Sequence, residues 1–196
     1  MALYGQPGNN VREILLTFDD GPNPRTTPRL LDTLAENNIK AVFFVLGNLL
    51  EKPEGQNILE RAIREGHTIG NHSFSHVNLK ALDRSKIIEE LQRTHKLICD
   101  CTGGCKVFRP PYGAVNSAVS EVLLELGYTQ LLWSVDTLDW KLMKEAAWVD
   151  HAMEQIKSRE DSIVLMHDIH ATTVDNLPLL IQRVNRLSNT RFVPYT

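Results

Sequence analysis

Long apolar runs are missing from this chain. No window approaches the roughly 18 unbroken apolar residues of a membrane-spanning helix, so no such span is expected. The stretch from Met1 to Gly8 carries glycine and proline but no apolar h-region, so no signal peptide is visible. That observation fits a cytoplasmic chain and equally one whose export signal has been removed. An excess of positive charge is missing too. The 21 Lys and Arg against 24 Asp and Glu leave a net charge of −3, which is no footprint for nucleic acid. Cysteine is scarce: Cys99, Cys101 and Cys105 all fall within seven residues. An odd count makes no disulfide framework. Reduced thiols, one local bridge such as Cys99 to Cys105, and a zinc site all stay open, although no His or fourth Cys follows at finger spacing. Internal repeats, linkers and low-complexity tracts are absent as well.

What is present is enough apolar material for one sizeable core. Hydrophobic residues make up 42 % of 196, which suits one domain spanning residues 1–196. Short apolar runs alternate with helix-patterned stretches. Strands are expected at 13–19, 41–47, 68–70, 106–109, 130–136, 162–168 and 191–195. Helices are expected at 27–37, 57–65, 116–126, 145–158 and 174–187, and a long one after the N-cap candidate Asp83, carrying Ile87, Leu91 and Ile98. About seven βα repeats with near-continuous apolar strands mean an α/β fold with a parallel sheet covered by helices. A closed or distorted barrel and an open doubly wound sheet both fit this pattern. In either, functional residues gather at the C-terminal ends of the strands.

Five clusters of polar residues fall at those ends. The first is Thr17-Phe18-Asp19-Asp20-Gly21-Pro22. Neighbours on a strand point to opposite sides, so its two carboxylates can take different roles, one as a metal ligand and the other as a base. A turn supplying only local hydrogen bonds is the plainer alternative. The second is His72-Ser73-Phe74-Ser75-His76, whose i, i+4 imidazoles share a face if the turn is helical and can then converge on one metal. A carboxylate plus two imidazoles leaves open positions, the pattern of a catalytic site. The third is Arg109-Pro110-Pro111-Tyr112-Gly113, a rigid turn with an Arg that could clamp a carboxylate bidentately and a backbone N–H that could face an oxyanion. The fourth, Asp136-Thr137-Leu138-Asp139-Trp140, sets a charge beside an apolar wall. The fifth, Leu165-Met166-His167-Asp168, ends an apolar strand with a candidate general acid. His67, His95 and His151 have no motif around them and read as structural or surface residues; His170 takes the same reading, although it follows the fifth cluster.

All five clusters occur in order between residues 17 and 168. Together they resemble the polysaccharide deacetylase family, also called the NodB-homology or carbohydrate esterase family four. The resemblance implies a distorted (β/α) barrel of about seven parallel strands. It implies one divalent metal ion, usually zinc, with cobalt or nickel as alternatives, held by Asp20, His72 and His76. By the family pattern Asp19 is the general base and Arg109 orients it. Tyr112 contributes its backbone N–H to the oxyanion, and Asp139 tunes His167, the general acid. Leu165 and Trp140 shape the pocket for the acetyl methyl, and Ser73 braces the histidine loop. No core motif position departs from the pattern.

The implied activity is removal of N-acetyl groups from an acetylated carbohydrate, chitooligosaccharide or peptidoglycan. The Arg-Pro-Pro-Tyr-Gly and Asp-Trp forms look more like the enzymes acting on N-acetylglucosamine than those acting on N-acetylmuramic acid. An acetylxylan esterase is the alternative enzyme, and a non-catalytic carbohydrate-binding module the alternative of another class. The family suggests an extracellular or cell-envelope location with a trimmed signal, and the cytoplasm stays open. The motif set needs no partner chain, so a monomer is expected.

Overall fold

In the computed structural model the described residues are 11–102 and 106–196. A Cys99–Cys105 bridge lies outside this description, because Cys105 is not among these residues. Along the chain run β1 (Arg12–Asp19), α1 (Thr27–Glu36), β2 (Val42–Val45), α2 (Gly47–Leu50), α3 (Pro53–Arg64), β3 (Thr68–Asn71) and α4 (Arg84–Thr102). Then follow β4 (Val107–Phe108), α5 (Ser117–Glu125), β5 (Thr129–Gln130), β6 (Val135–Asp136), α6 (Ala147–Lys157), β7 (Ser162–His167), α7 (Ala171–Asn185) and β8 (Thr190–Phe192). The strands form one parallel sheet in the order β5-β4-β3-β2-β1-β7-β6, with β8 added to the start of β1. This is the distorted barrel rather than the open doubly wound sheet.

The period of two along each strand sorts the side chains. Ile14, Leu16 and Phe18 of β1, Phe43 and Val45 of β2, and Val164 and Met166 of β7 face outward. They meet Leu30, Leu31 and Leu34 of α1, Leu59 of α3, Trp148 of α6 and Leu177 of α7. Each such buried side chain stabilises the fold by about 1.5–3 kcal/mol. Residues between them face inward. Leu15, Val42, Phe44 and Val107 fill the barrel interior with Ile163 and Leu131. By the same alternation Thr17 and Asp19 continue the inward line of Leu15 upward, and Leu165 and His167 continue that of Ile163. Register partners Asp19 and His167 therefore stand side by side at the barrel mouth.

One expected strand is broken. Residues 130–136 read as a single strand, yet the chain forms β5 and β6 with four residues between them. The reason is topological. Leu131 N bonds to Phe108 O beside β4, whereas Ser134 N bonds to Ile163 O of β7. The segment crosses from one edge of the sheet to the other, and one straight strand cannot pair with both. The carbonyls freed in the crossing, Leu131 O and Leu132 O, accept from the Arg109 guanidinium instead. Other boundaries shift by a few residues: α3 starts at Pro53 rather than 57, and α7 at Ala171 rather than 174. Asp83 caps α4 as expected, its Oδ1 accepting from Lys86 N. Among the described residues no helix is long and apolar enough to cross a membrane.

Candidate active site

The upper inward layer of the barrel forms a cavity of about 460 Å³, within the ~300–1,000 Å³ usual for small-molecule sites. Asp19, Asp20, His72, His76, Tyr112, Trp140, Leu165 and His167 all line it. Arg109 and Asp139 lie directly behind that surface, both fully buried. The five sequence clusters thus converge on one place.

Asp19 ends β1, and its Oδ1 accepts from Arg109 Nη1 at 2.8 Å. All three guanidinium nitrogens are engaged: Nη1 also donates to Thr17 Oγ1 (2.7 Å), Nε to Leu131 O (2.9 Å) and Nη2 to Leu132 O (3.0 Å). The expected bidentate clamp is therefore not formed. Only one nitrogen reaches the carboxylate, because the crossing segment claims the others. The ring of Phe44 lies 4.2 Å below the guanidinium carbon.

Asp20 departs from the strand with φ 75°. That turn overrides the up-down alternation expected of the two carboxylates, so both reach the same cluster. Asp20 Oδ1 lies 3.3 Å from His72 Nε2 and 3.1 Å from His76 Nε2, and Asp19 Oδ2 lies 3.7 Å from His72 Nε2. The two histidines converge through a loop and not through the helical turn anticipated from their spacing. Ser73 and His76 both take positive φ, 69° and 57°. Burial pushes the Asp20 carboxyl upward; when the two adjacent imidazoles both carry protons, their hydrogen bonds and charge more than reverse this and hold it far below the usual range.

The donor set fits a cation. The Nδ1 of His72 donates to Arg109 O at 2.7 Å, and a carbonyl can only accept. Neutral His72 must then turn an Nε2 lone pair toward Asp20 Oδ1. That oxygen is buried and accepts no hydrogen bond. Lone pairs facing one another at such distances repel unless a positive charge lies among them. One ligand atom from each of Asp20, His72 and His76 lies within 4.8 Å of the others.

On the opposite wall His167 Nδ1 donates to Asp139 Oδ1 at 2.7 Å. Asp139 Oδ2 accepts from His167 N and from Thr173 Oγ1, at 2.8 and 2.7 Å, and Trp140 N donates to Oδ1. Burial disfavours the charged imidazole, but the bond to Asp139 and its charge, with Asp19 and Asp20 adding, raise the His167 pKa to about 9. Tyr112, at φ 61°, and Trp140 stand on the rim, 67 % and 48 % exposed.

Sequence reading gives several residues at the site no role. Pro110, Trp133, Asp136 and His170 also line the cavity. The ring of His170, which by sequence reads as structural or surface, packs edge-on against His167 at 5.8 Å. Its position three residues beyond a motif histidine was the only available signal. Asp168, quoted only as the end of the fifth cluster, is buried beneath the first loop. Its Oδ2 accepts from Thr27 Oγ1 at 2.5 Å, and burial pushes its carboxyl up to about 7. His67 is structural as read, with Nδ1 accepting from Ala41 N.

A parallel barrel thus brings a metal-type ligand cluster, an Asp–Arg pair and a His–Asp pair together at its mouth. The family model described as Polysaccharide deacetylase matches residues 7–131, and the chain belongs to this family. Peptidoglycan-N-acetylglucosamine deacetylase PgdA of Listeria monocytogenes is 39 % identical over 88 % of this chain and 36 % of its own length. The chain thus spans little more than a third of that relative. Chitooligosaccharide deacetylase of Rhizobium leguminosarum bv. trifolii is 35 % identical over 84 % of this chain and 75 % of its own. Among solved structures, peptidoglycan deacetylase PdaC of Bacillus subtilis superposes with a TM-score of 0.85 at 33 % identity, covering 95 % of this chain and 89 % of the other.

Proposed function

We propose that this chain is a metal-dependent hydrolase that removes N-acetyl groups from polysaccharide or oligosaccharide containing N-acetylglucosamine. The carrying observation is the placement of the Asp20–His72–His76 cluster between two differently tuned partners, Asp19 with Arg109 and His167 with Asp139. The activities for which the relatives are named support the same reading. We also read residues 1–196 as one domain, since β1 and β8, from opposite ends of the chain, pair directly. A peptidoglycan-type substrate would place its work at the cell envelope.

Asp20, His72 and His76 would hold one divalent ion, with zinc our first choice for an oxygen–nitrogen donor set. Such an ion, when bound, supplies Lewis-acid polarisation of the acetyl carbonyl and of water. Asp19, kept in place by Arg109, accepts the proton of the attacking water. Tyr112 offers its backbone N–H to the developing oxyanion, a donor type whose removal typically costs about 10²-fold or more. His167 is protonated at neutral pH and has its Nδ1 committed to Asp139. The proton for the departing nitrogen therefore comes from Nε2. Leu165, buried, and Trp140, at the rim, bound the space for the acetyl methyl.

The test is incubation with chitopentaose and zinc or cobalt, with and without a chelator, followed by mass spectrometry. Chelator-sensitive loss of acetyl groups is the expected result. Release of acetate from acetylxylan alone would replace this reading with an ester hydrolase.

A further inference from the structure

The loop that carries His72 and His76 is not a conformation the chain adopts unaided. Ser73 and His76 both sit in the left-handed region, which disfavours residues with a Cβ. Something must hold the loop there, and the hydrogen bonds show what does.

Each backbone N–H from 73 to 76 has an acceptor. Ser73 N donates to Asn71 Oδ1 (2.9 Å) and His76 N to Ser73 Oγ (3.1 Å), both local to the loop. Phe74 N and Ser75 N donate to a single oxygen from elsewhere, Glu90 Oε2 of α4, at 2.9 and 2.8 Å. Ser75 Oγ donates to the other carboxylate oxygen, Oε1, at 2.7 Å. The neighbours of Glu90 on the same turn of α4 grip the same segment. Leu91 O accepts from Asn71 Nδ2 at 2.9 Å, and the Arg93 guanidinium carbon lies 3.5 Å from the Phe74 ring centroid. From the other side Gly47 N and Asn48 N donate to Ser73 O and Phe74 O. A Cβ on Gly47 would fall 2.4 Å from Thr94 Oγ1 and 2.5 Å from Phe74 Cδ2, so α4, α2 and the loop meet without slack.

We infer that Glu90 is a positioning residue for the metal site: its carboxylate fixes the spacing of His72 and His76, and metal affinity depends on it. The inference rests on the reading of Asp20, His72 and His76 as ligands. Glu90 lies outside all five sequence clusters, in a helical run where a charged residue reads as a solvated face. It touches no lining residue through its own charge. It acts by holding three donors of the loop between the two imidazoles.

The experiment is zinc titration of the chelator-stripped 196-residue chain in competition with a chromophoric chelator. Metal-free melting midpoints are measured in parallel. Glu90→Ala is expected to weaken zinc binding about 10- to 100-fold, the range for loss of a partner behind a ligand, and to shift the metal-free midpoint by only a few degrees. Glu90→Gln keeps a carbonyl for both N–H groups and an amide to pair with Ser75 Oγ, so it should bind zinc within about fivefold of wild type. Should the alanine variant fail to fold, Glu90→Asp keeps the charge but withdraws the acceptor, and should bind zinc more weakly than Glu90→Gln. Wild-type affinity in the alanine variant, or in the aspartate variant, overturns the inference and leaves the site reading intact. A lowered midpoint with unchanged affinity does the same, because it marks a purely structural role. Equal damage in the Gln and Ala variants overturns it in favour of a charge effect at a distance. Failure of the wild type itself to bind zinc overturns both this inference and the reading beneath it.

Discussion

Arg109 and Asp19 form a buried ion pair across the barrel mouth, Nη1 to Oδ1 at 2.8 Å, and neither side chain is more than 4 % exposed. The pair joins the ends of β1 and β4, two strands that are not neighbours in the sheet. Arg109 also ties down the crossing segment through Leu131 O and Leu132 O. One guanidinium thus holds the proposed base and closes the barrel.

Replacing Arg109 by Met should cost about 3–5 kcal/mol of stability, because it leaves the Asp19 charge buried and unpaired. Urea unfolding of the metal-free protein measures this. A loss below about 1 kcal/mol, the size of an exposed pair, would show that the mouth admits water to Asp19.

Asp19→Asn keeps the size of the side chain and removes its capacity to take a proton. Zinc content should stay near one ion per chain while turnover of chitopentaose falls by about 10²- to 10⁴-fold. An unchanged rate would assign the base elsewhere.

His76→Ala removes one of the three candidate ligands. Elemental analysis of protein purified and dialysed against limiting zinc should show clearly lowered occupancy. Full occupancy would contradict the ligand role.

His167 should set an alkaline limb near pH 9 in the rate profile of the N-acetyl substrate. Asp139→Asn removes the charge that raises this pKa, so the limb should move toward the ordinary histidine value of about 6.5. A bound cation would pull the wild-type limb somewhat below 9 by repulsion. Because the folded pKa lies above the unfolded one, the pair stabilises the metal-free protein fully below pH 6.5. That contribution is lost as pH rises through about 9. Melting midpoints between pH 6 and 10, compared in the wild type and Asp139→Asn, check this, and parallel curves would refute it.

Gly21→Ala should damage both fold and site. A Cβ there falls 2.1 Å from Asp168 Oδ2, a carboxylate held beneath the loop by Thr27. The loop carrying Asp20 must shift, and zinc affinity should fall together with the melting midpoint. Wild-type values for both would mean that Asp168 swings away freely.

Much of this protein is legible in its sequence. The apolar runs around Leu15, Phe43 and Val164 could only be buried parallel strands, and the helix spacing at Leu30, Leu31 and Leu34 could only cover them. The five clusters, each read at a strand end, named the residues that line the cavity or stand behind it. These features are local: hydrophobic period and motif spacing are properties of neighbouring residues. Other features depended on distant parts of the chain. The break between Gln130 and Val135 exists because the sheet curls until β4 and β7 both face that segment. The single-nitrogen contact of Arg109 with Asp19 follows from the same crossing. Positive φ at Asp20, Ser73 and His76 belongs to residues that ordinarily avoid it. Only the packing of α2 and α4 around the histidine loop makes it tenable there. Glu90, His170 and Asp168 are ordinary residues along the chain. Their surroundings are set by contacts that close long loops, which no periodicity encodes. Local sequence thus carries the class of fold and the residue types at the barrel mouth. The tertiary structure decided how those groups are aimed, because aim depends on which distant elements compete for the same hydrogen bonds.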